Sequence, residues 1–270
     1  MIYLAGTPLG NDGDASPRLR QILAEADLIA AEDTRRLLNL ASRLGVELHA
    51  PVTAYHDHNE QEKARDLVEA ARSGKTVVVL SDAGMPAVSD PGYRIAHLAA
   101  GQGVPLTVVP GPSAVLTALV ISGLATDRFV FEGFLPRRDG ELESELEALK
   151  KEPRTMVFFE SPRRIARVLG KMADAFGPGR KAAVCRELTK IHEEVVRGTL
   201  EELREWARGG PLGEIAVVVA GAGETEGISA PAAQVAELVE LGLSLKDAVK
   251  YVAKRENVRK NALYQACLEA

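Results

Sequence analysis

Cysteine is nearly absent from this sequence. Cys185 and Cys267 are the only two in 270 residues, too few for a disulfide framework or a thiolate metal cage, so both read as packing residues and redox chemistry is not expected. Aromatic residues make up only 4%, which leaves little for stacking a nucleic-acid strand along an extended surface. Positive charge is not in excess either: 33 Lys and Arg face 38 Asp and Glu, a net charge of −5. A generally cationic nucleic-acid binder is thereby excluded, and any RNA contact has to use local patches. No apolar run approaches the roughly 20 residues of a membrane span; the longest, Thr76 to Leu80 and Ile215 to Ala220, are strand-sized. Ile2-Tyr3-Leu4-Ala5 reads as a strand, without the basic region, apolar segment and small-residue cleavage site of a secretory leader, so a cytoplasmic location is expected. Internal repeats, low-complexity tracts, the G-x-G-x-x-G dinucleotide fingerprint and the P-loop are all missing.

What is present is an alternation. From Ile2 to Ala220, short β-branched runs alternate with amphipathic stretches at helical spacing, the pattern of an α/β protein with largely parallel strands. Strands are expected at Ile2–Ala5, Leu28–Ala31, Thr76–Leu80, Leu106–Val109, Phe129–Phe131, Met156–Phe159, Ala182–Cys185, Glu194–Arg197 and Ile215–Ala220. Helices fill most gaps, the first of them starting at a Ser16 cap with Pro17 in the first turn. Pro110-Gly111-Pro112 cannot continue as regular structure. It divides the chain into an α/β domain over residues 1–112 and a second over 113–225, with a natural cleft between them. The acidic positions from Asp139 to Glu147 read as a solvated helix face. After Gly221-Ala222-Gly223 a linker leads into a helical tail, residues 230–270, whose first helix begins at Ser244 with Asp247 three positions on. Lys246, Lys250, Lys254, Arg255, Arg259 and Lys260 make it basic against Asp247 and Glu256. It is either a solvated helical hairpin packed on the body or a contact for RNA.

Several loops concentrate Gly, Pro, Ser and Asp directly after strands, where α/β folds place ligands. Gly6 to Asn11 follows the first strand, and a tight turn alone would explain it nearly as well. Ser81 to Gly92 is far longer than an ordinary strand-to-helix connection, and its Asp and Ser groups suit ribose hydroxyls or an ammonium, although Ser89 or Asp90 also suits a helix cap. Pro110 to Ala114, Glu160-Ser161-Pro162-Arg163 and Arg186-Glu187-Leu188-Thr189-Lys190 complete the set.

Gly6 to Asn11, Ala31-Glu32-Asp33-Thr34-Arg35, Tyr55-His56-Asp57-His58-Asn59-Glu60, the Ser81–Gly92 loop, Pro110 to Ala114, Phe131-Glu132-Gly133-Phe134-Leu135-Pro136, Phe159 to Arg163 and Arg186 to Lys190 resemble, in that order and spacing, the 2′-O-ribose methyltransferases of bacterial small-subunit ribosomal RNA, a branch of the tetrapyrrole-methylase superfamily. The resemblance runs from about Ile2 to Gly221 and extends into the tail. It implies two α/β domains of tetrapyrrole-methylase type with an interdomain cofactor cleft, plus a small C-terminal helical module. It implies S-adenosyl-L-methionine as cofactor, held near Pro8, Ser81, Asp82, Ala83, Gly84, Val88, Ser113, Ala114, Glu160 and Leu188. The reaction implied is methylation of a cytidine ribose 2′-hydroxyl in the decoding region of 16S rRNA, with the small ribosomal subunit as partner and a homodimer as the assembly. Met85 stands where the family is expected to carry Thr; a backbone-mediated cofactor contact tolerates that change and a hydroxyl-mediated one does not.

Methyl transfer from a sulfonium to a hydroxyl mainly needs alignment, needs no metal, and is helped by a group that takes the hydroxyl proton. The foremost candidates are Asp33, His56, Glu187 and Lys190, with Glu32, Asp57 and His58 behind them. Each also has a plain structural use, as a helix cap or a loop hydrogen bond. His56 and His58 could share a face toward a metal, but further ligands at suitable spacing are missing. Arg35, Arg36, Arg163, Arg164 and Arg186 read as phosphate contacts or as plain solubilising charge. Two other functions compete: a tetrapyrrole C-methyltransferase using the same cleft, and a non-catalytic nucleic-acid-binding protein using the tail.

Overall fold

A computed structural model describes residues 1–222, 229–256, 258 and 260–269. Residues 223–228, where the expected linker starts, and Arg259 lie outside the described residues. The first sheet comprises β1 (Ile2–Ala5), β2 (Leu28–Ala31), β3 (Val52–Ala54), β4 (Val77–Leu80) and β5 (Leu106–Val109), in the order β3-β2-β4-β1-β5 with every pair parallel. β4 is buried throughout, and its alternation sorts two cores: Val78 and Leu80 join Leu19, Leu23, Leu37 and Leu40 of α1 (Pro17–Glu25) and α2 (Thr34–Leu44). Val77 and Val79 join Leu67, Val68, Ile95 and Ala99 of α3 (Glu60–Arg72) and α4 (Tyr93–Gly101) on the other face. Each leucine so buried stabilises the fold by about 1.5 to 3 kcal/mol. The spacing Leu37, Leu40, Ala41, Leu44 supplies the buried stripe of α2; Asp33 caps its start and Gly45, at φ 66°, ends it. Because the strands are parallel, the loops after β1, β4 and β5 leave one common edge.

The second sheet comprises β6 (Phe129–Phe134), β7 (Thr155–Glu160), β8 (Lys181–Arg186), β9 (Glu194–Thr199) and β10 (Ile215–Val219), in the order β6-β7-β10-β8-β9. Parallel pairing, which runs through the whole first sheet and dominates the chain, gives way here to a mixed sheet. Only β6 and β7 pair parallel; β7 with β10, β10 with β8 and β8 with β9 are antiparallel. The seven residues joining β8 to β9 are too few for a crossover, which needs a dozen or more. The reversal has a functional consequence. Ile215 at the start of β10 pairs with Glu160 at the end of β7 and Arg186 at the end of β8, so three segments distant in sequence meet at one edge. Helices α6 (Asp139–Leu149), α7 (Ile165–Phe176) and α8 (Leu200–Ala207) cover one face of this sheet. The other face receives α5 (Ala114–Ser122) through Val115, Ala118 and Leu119.

The tail forms α9 (Ser229–Glu240), α10 (Leu245–Arg255) and α11 (Lys260–Glu269) around a small core of Val235, Ala248, Val249, Val252 and Leu263. Ser244 caps α10 by accepting from the Asp247 N–H. The helix α9 fills the start of the tail, ahead of Ser244, the expected start of its first helix; Pro231 sits in its first turn, where the missing N–H is not needed.

Candidate active site

A cavity of about 420 Å³ lies where the loop edge of the first sheet meets the Glu160–Ile215 edge of the second, within the size range of small-molecule sites. Its first-half wall is built by two crossing loops. Thr7, just past β1, donates its N–H to the Gly84 carbonyl at 2.9 Å, and Gly84 returns the bond at 3.1 Å. The 81–92 loop holds two non-glycine residues in the left-handed region, Ala87 at φ 69° and Ser89 at φ 65°, each costing about 1 to 3 kcal/mol. What holds the loop is Glu60 on α3: its Oε1 accepts from the N–H groups of Gly92 at 2.9 Å and Arg94 at 3.2 Å and from the buried Tyr55 hydroxyl at 3.1 Å. Since Gly92 offers α4 no side-chain cap, Glu60 caps that helix from its neighbour.

Carboxyl groups dominate the polar lining. The Asp33 N–H donates to Asp82 Oδ1 at 3.0 Å, the Asp82 N–H donates to Glu32 Oε2 at 3.2 Å, and Arg36 pairs with Asp82 at 3.3 Å. Burial pushes Glu32 upward in pKa, and burial together with the charges of Glu32, Asp82 and Asp57 pushes Asp90 up to about 7. Glu160 accepts from the Ser161 N–H at 2.7 Å through Oε1, while its Oε2 is buried with no hydrogen-bond partner. Desolvation raises its pKa as well. A buried, unpartnered carboxylate oxygen on a residue lining a cavity calls for a donor or a cation.

Of the ten residues expected at the cofactor, Asp82, Ala83, Gly84, Val88, Ser113, Ala114, Glu160 and Leu188 line the cavity. Pro8 and Ser81 are buried behind it, and the Ser81 carbonyl accepts from the Thr7 hydroxyl at 3.3 Å. The four foremost catalytic candidates do not line it. Asp33 caps α2, and its bonds from the Arg35 side chain and backbone hold it down to about 2. His56 leans edge-on against His58, ring centres 5.9 Å apart. Lys190 reaches Glu187 at 2.8 Å and Glu214 at 3.0 Å. Against the downward pull of burial, those two carboxylates raise the lysine's pKa, and the bond from Lys190 lowers that of Glu187. The lysine therefore stays protonated and the glutamate stays a weak proton acceptor. This trio is a clasp. Lys190 lies so close over Gly10 that an added Cβ would come within 2.3 Å of its Cγ, which ties the β8–β9 link to the β1 loop.

The arginines divide in the same way. Arg164 donates to the Leu135 and Pro136 carbonyls, and Arg186 pairs with Glu194 at 3.0 Å and donates to the Leu212 carbonyl; both serve the fold. Arg163 and Arg35 are exposed. Asp90, read from sequence as a ribose or ammonium contact or a helix cap, lines the cavity; so do two residues not singled out individually, Glu214 and Phe134, the latter 59% exposed and edge-on to Phe159 at 5.6 Å. The β-bulge between Phe131 and Gly133 re-aims Phe134. Among the described residues, no three His, Cys, Asp or Glu side chains come together as a metal-binding group.

Residues 1–204 match the family of tetrapyrrole (corrin/porphyrin) methylases. Ribosomal RNA small subunit methyltransferase I of Mycobacterium tuberculosis (strain CDC 1551 / Oshkosh) is 50% identical over 270 residues, covering 100% of this chain and 95% of that protein. The protein of the same name from Pseudomonas aeruginosa is 40% identical, covering 99% and 96%. Among solved structures, uroporphyrin-III C-methyltransferase from Thermus thermophilus complexed with S-adenyl homocysteine is 22% identical, with a TM-score of 0.57 and coverage of 80% of this chain and 96% of that one; at that identity the likeness establishes the fold. The chain is therefore a methyltransferase, and it belongs to the tetrapyrrole methylase family and, within it, to the group that shares full-length likeness with ribosomal RNA small subunit methyltransferase I.

Proposed function

We propose that the chain transfers the methyl group of S-adenosyl-L-methionine to the ribose 2′-hydroxyl of a cytidine in the decoding region of 16S rRNA. The observation that carries this reading is the reach of the likeness. The tetrapyrrole-methylase match stops at residue 204, whereas the ribosomal RNA methyltransferases match through the tail to full length. That tail exposes Lys246, Lys250, Lys254 and Lys260, a local cationic patch on an acidic chain, as contact with phosphate requires.

The cavity suits the cofactor. The unpartnered Glu160 oxygen accepts from a hydroxyl or amino group, and the half-buried carboxylates favour a cation. Bound there, S-adenosyl-L-methionine supplies a methyl group on a positively charged sulfur. Asp82, Ala83, Gly84, Val88, Ser113, Ala114, Glu160 and Leu188 hold it, with Pro8 and Ser81 behind them. Met85 lines the same wall in place of the expected Thr, consistent with a contact made by backbone. The chain's contribution to rate is alignment and exclusion of water by the apolar wall of Leu9, Val115, Phe159 and Leu188. We also propose a division into residues 1–112, 113–225 and 230–270, a cytoplasmic location, and a homodimer. The homodimer is supported by Leu116 and Val120, four apart on α5 and 52% and 74% exposed. No helix among the described residues is long and apolar enough to cross a membrane.

Transfer of labelled methyl to small ribosomal subunits lacking this modification, with nuclease mapping, tests the reading: a single ribose-methylated cytidine is expected. Binding of the cofactor without RNA labelling, together with a shift in a porphyrinoid's absorption band, would assign the cleft to a tetrapyrrole instead. Arg35 and Arg163 offer exposed guanidinium groups near the cavity loops. Replacing both by alanine is expected to weaken RNA binding and flatten the slope of log K against log salt by about 1 for each phosphate that is no longer neutralised. An unchanged slope would remove them from the RNA surface.

A further inference from the structure

We infer that Phe134 is the stacking platform for the base of the nucleotide whose ribose is methylated, with Arg137 and Arg163 beside it to take adjoining phosphates. The inference rests on the proposed ribose methylation and deepens it by naming the surface that presents the RNA to the cavity.

A single exposed phenylalanine needs no explanation, but Phe134 is neither isolated nor left where strand alternation would put it. Across β6 and β7, Phe131 pairs with Val157, and residues directly opposite each other share a face of the sheet. Continued without interruption, that register would put Phe134 on the face of Phe158, which belongs to the core beneath α6, α7 and α8. The register instead shifts between Phe131 and Gly133, and Phe134 pairs with Phe159. Phe159 packs on the opposite, α5 side with Val157 and Leu188, and Phe134, Phe159 and Leu188 all line the cavity. The bulge thus moves one side chain across the sheet and into the cavity wall. Gly133 makes it possible: its φ of 67° lies in the left-handed region, which a residue with a Cβ enters only at a cost.

The result is an aromatic cluster at the cavity rim. Phe131 and Phe134 both stand edge-on to Phe159, ring centres 4.9 Å and 5.6 Å away, and these are three of the six phenylalanines in the chain. Phe131 and Phe159 are partly buried, whereas Phe134 is 59% exposed. One edge-on neighbour leaves Phe134 a ring face open, and every base has a π-face to lay on it. A base stacked there carries its ribose at the cavity entrance. The turn that follows is held in place: Arg164 donates to the Leu135 carbonyl at 3.2 Å and the Pro136 carbonyl at 2.7 Å, which ties the turn after β6 to the turn after β7. Those two turns carry Arg137 and Arg163. Both side chains are exposed and make no hydrogen bond or ion pair among the described residues, while nearby Arg138 is engaged by Glu141 and Arg167 by Asp139. Free guanidinium forks beside an open ring match the two features that any nucleotide offers, its phosphate and the face of its base.

The test compares wild type with Phe134→Ala, Phe134→Leu, Phe134→Tyr and Arg137→Ala on small ribosomal subunits lacking the modification. It reads kcat/KM, the salt dependence of subunit binding and, separately, S-adenosyl-L-methionine affinity by calorimetry. Phe134→Ala and Phe134→Leu should each lower kcat/KM by about 5- to 150-fold, because leucine keeps apolar bulk without a ring face. Phe134→Tyr, which keeps the ring, should stay within about threefold of wild type. Cofactor affinity should stay within about threefold in every variant. The slope of log K against log salt should be unchanged by the Phe134 substitutions and shallower by about 1 in Arg137→Ala. The inference is overturned if leucine serves as well as phenylalanine, if tyrosine is as impaired as alanine, or if the alanine and leucine variants lose cofactor affinity in proportion to activity, since the ring would then belong to the cofactor's wall. An unchanged slope in Arg137→Ala would remove that residue from the phosphate contact. A wild type that labels no RNA would sink the proposed function and this inference with it; an active wild type with an unimpaired Phe134→Ala would sink this inference alone.

Discussion

Replacing Glu60 by alanine is expected to destabilise the chain by about 3 kcal/mol and to weaken cofactor binding by about tenfold. One carboxylate oxygen, on a residue 7% exposed, serves three donors from two segments: the N–H groups of Gly92 and Arg94 and the hydroxyl of Tyr55. Without it the Tyr55 hydroxyl, on a side chain 1% exposed, and the first turn of α4 lose their acceptor in the interior. The pair with Arg94 at 3.2 Å adds little, because that arginine is 57% exposed. The loss should spread to the 81–92 loop, since Gly92 closes it. Thermal unfolding should drop by about 6 to 12 °C, at roughly 2 to 4 °C per kcal/mol for a chain of this size. Glu60→Gln keeps an acceptor oxygen and should cost about 1 kcal/mol. A Glu60→Ala protein with unchanged unfolding and unchanged cofactor affinity would show that the loop is held by other contacts.

The first half of the fold is legible in the sequence because its signals are local. Ser16 caps α1 by accepting from the Leu19 N–H at 3.0 Å, and strands buried on both faces read as unbroken Val and Ile runs. Strand direction in the second half is not legible: Ile215–Val219 is buried at every position, so its composition is the same whether its neighbours run with it or against it. β3 leaves little trace because it is three residues long and half-buried at the sheet edge. The tail helix α9 is masked because Ala and Pro at its start resemble linker composition, although Pro in a first turn is compatible with a helix.

The candidate site divides along a similar line. Loops are legible as ligand walls from their length and their place after strands, and most residues expected at the cofactor line the cavity. The roles of the catalytic candidates are not legible, because each depends on partners that sequence distance hides. Glu187 and Lys190 stand three apart, yet their decisive neighbour is Glu214, 24 residues beyond Lys190. Asp33 is the exception, since its role can be read locally. An Asp immediately before Thr34-Arg35-Arg36 is a capping residue beside two cations, and both features oppose basicity.

The second large effect is expected from Gly111→Ala. Gly111 lies between Pro110 and Pro112 in the loop after β5, and its backbone rests on that of Gly6 after β1: an added Cβ would stand 2.8 Å from the Gly6 carbonyl carbon and 2.9 Å from its Cα and oxygen. All three are backbone atoms, so no side chain can rotate away. Neither loop can retreat freely, because Gly6 donates its N–H to the Val109 carbonyl at 3.0 Å and Thr7 is bridged to Gly84. Relief therefore has to separate the two loops that flank the cavity. The substitution should cost about 3 kcal/mol, the upper end for overpacking, and should displace Ser113 and Ala114 along with the loop. Gly140 on α6 provides the control. An added Cβ there meets nothing within 4 Å, so Gly140→Ala should be neutral or stabilise the helix by up to about 1 kcal/mol. Thermal unfolding and cofactor calorimetry on both variants separate the effects: Gly111→Ala should lose stability and affinity together, and Gly140→Ala neither. If Gly111→Ala binds the cofactor as wild type does, the contact between the two loops supports the fold without shaping the site.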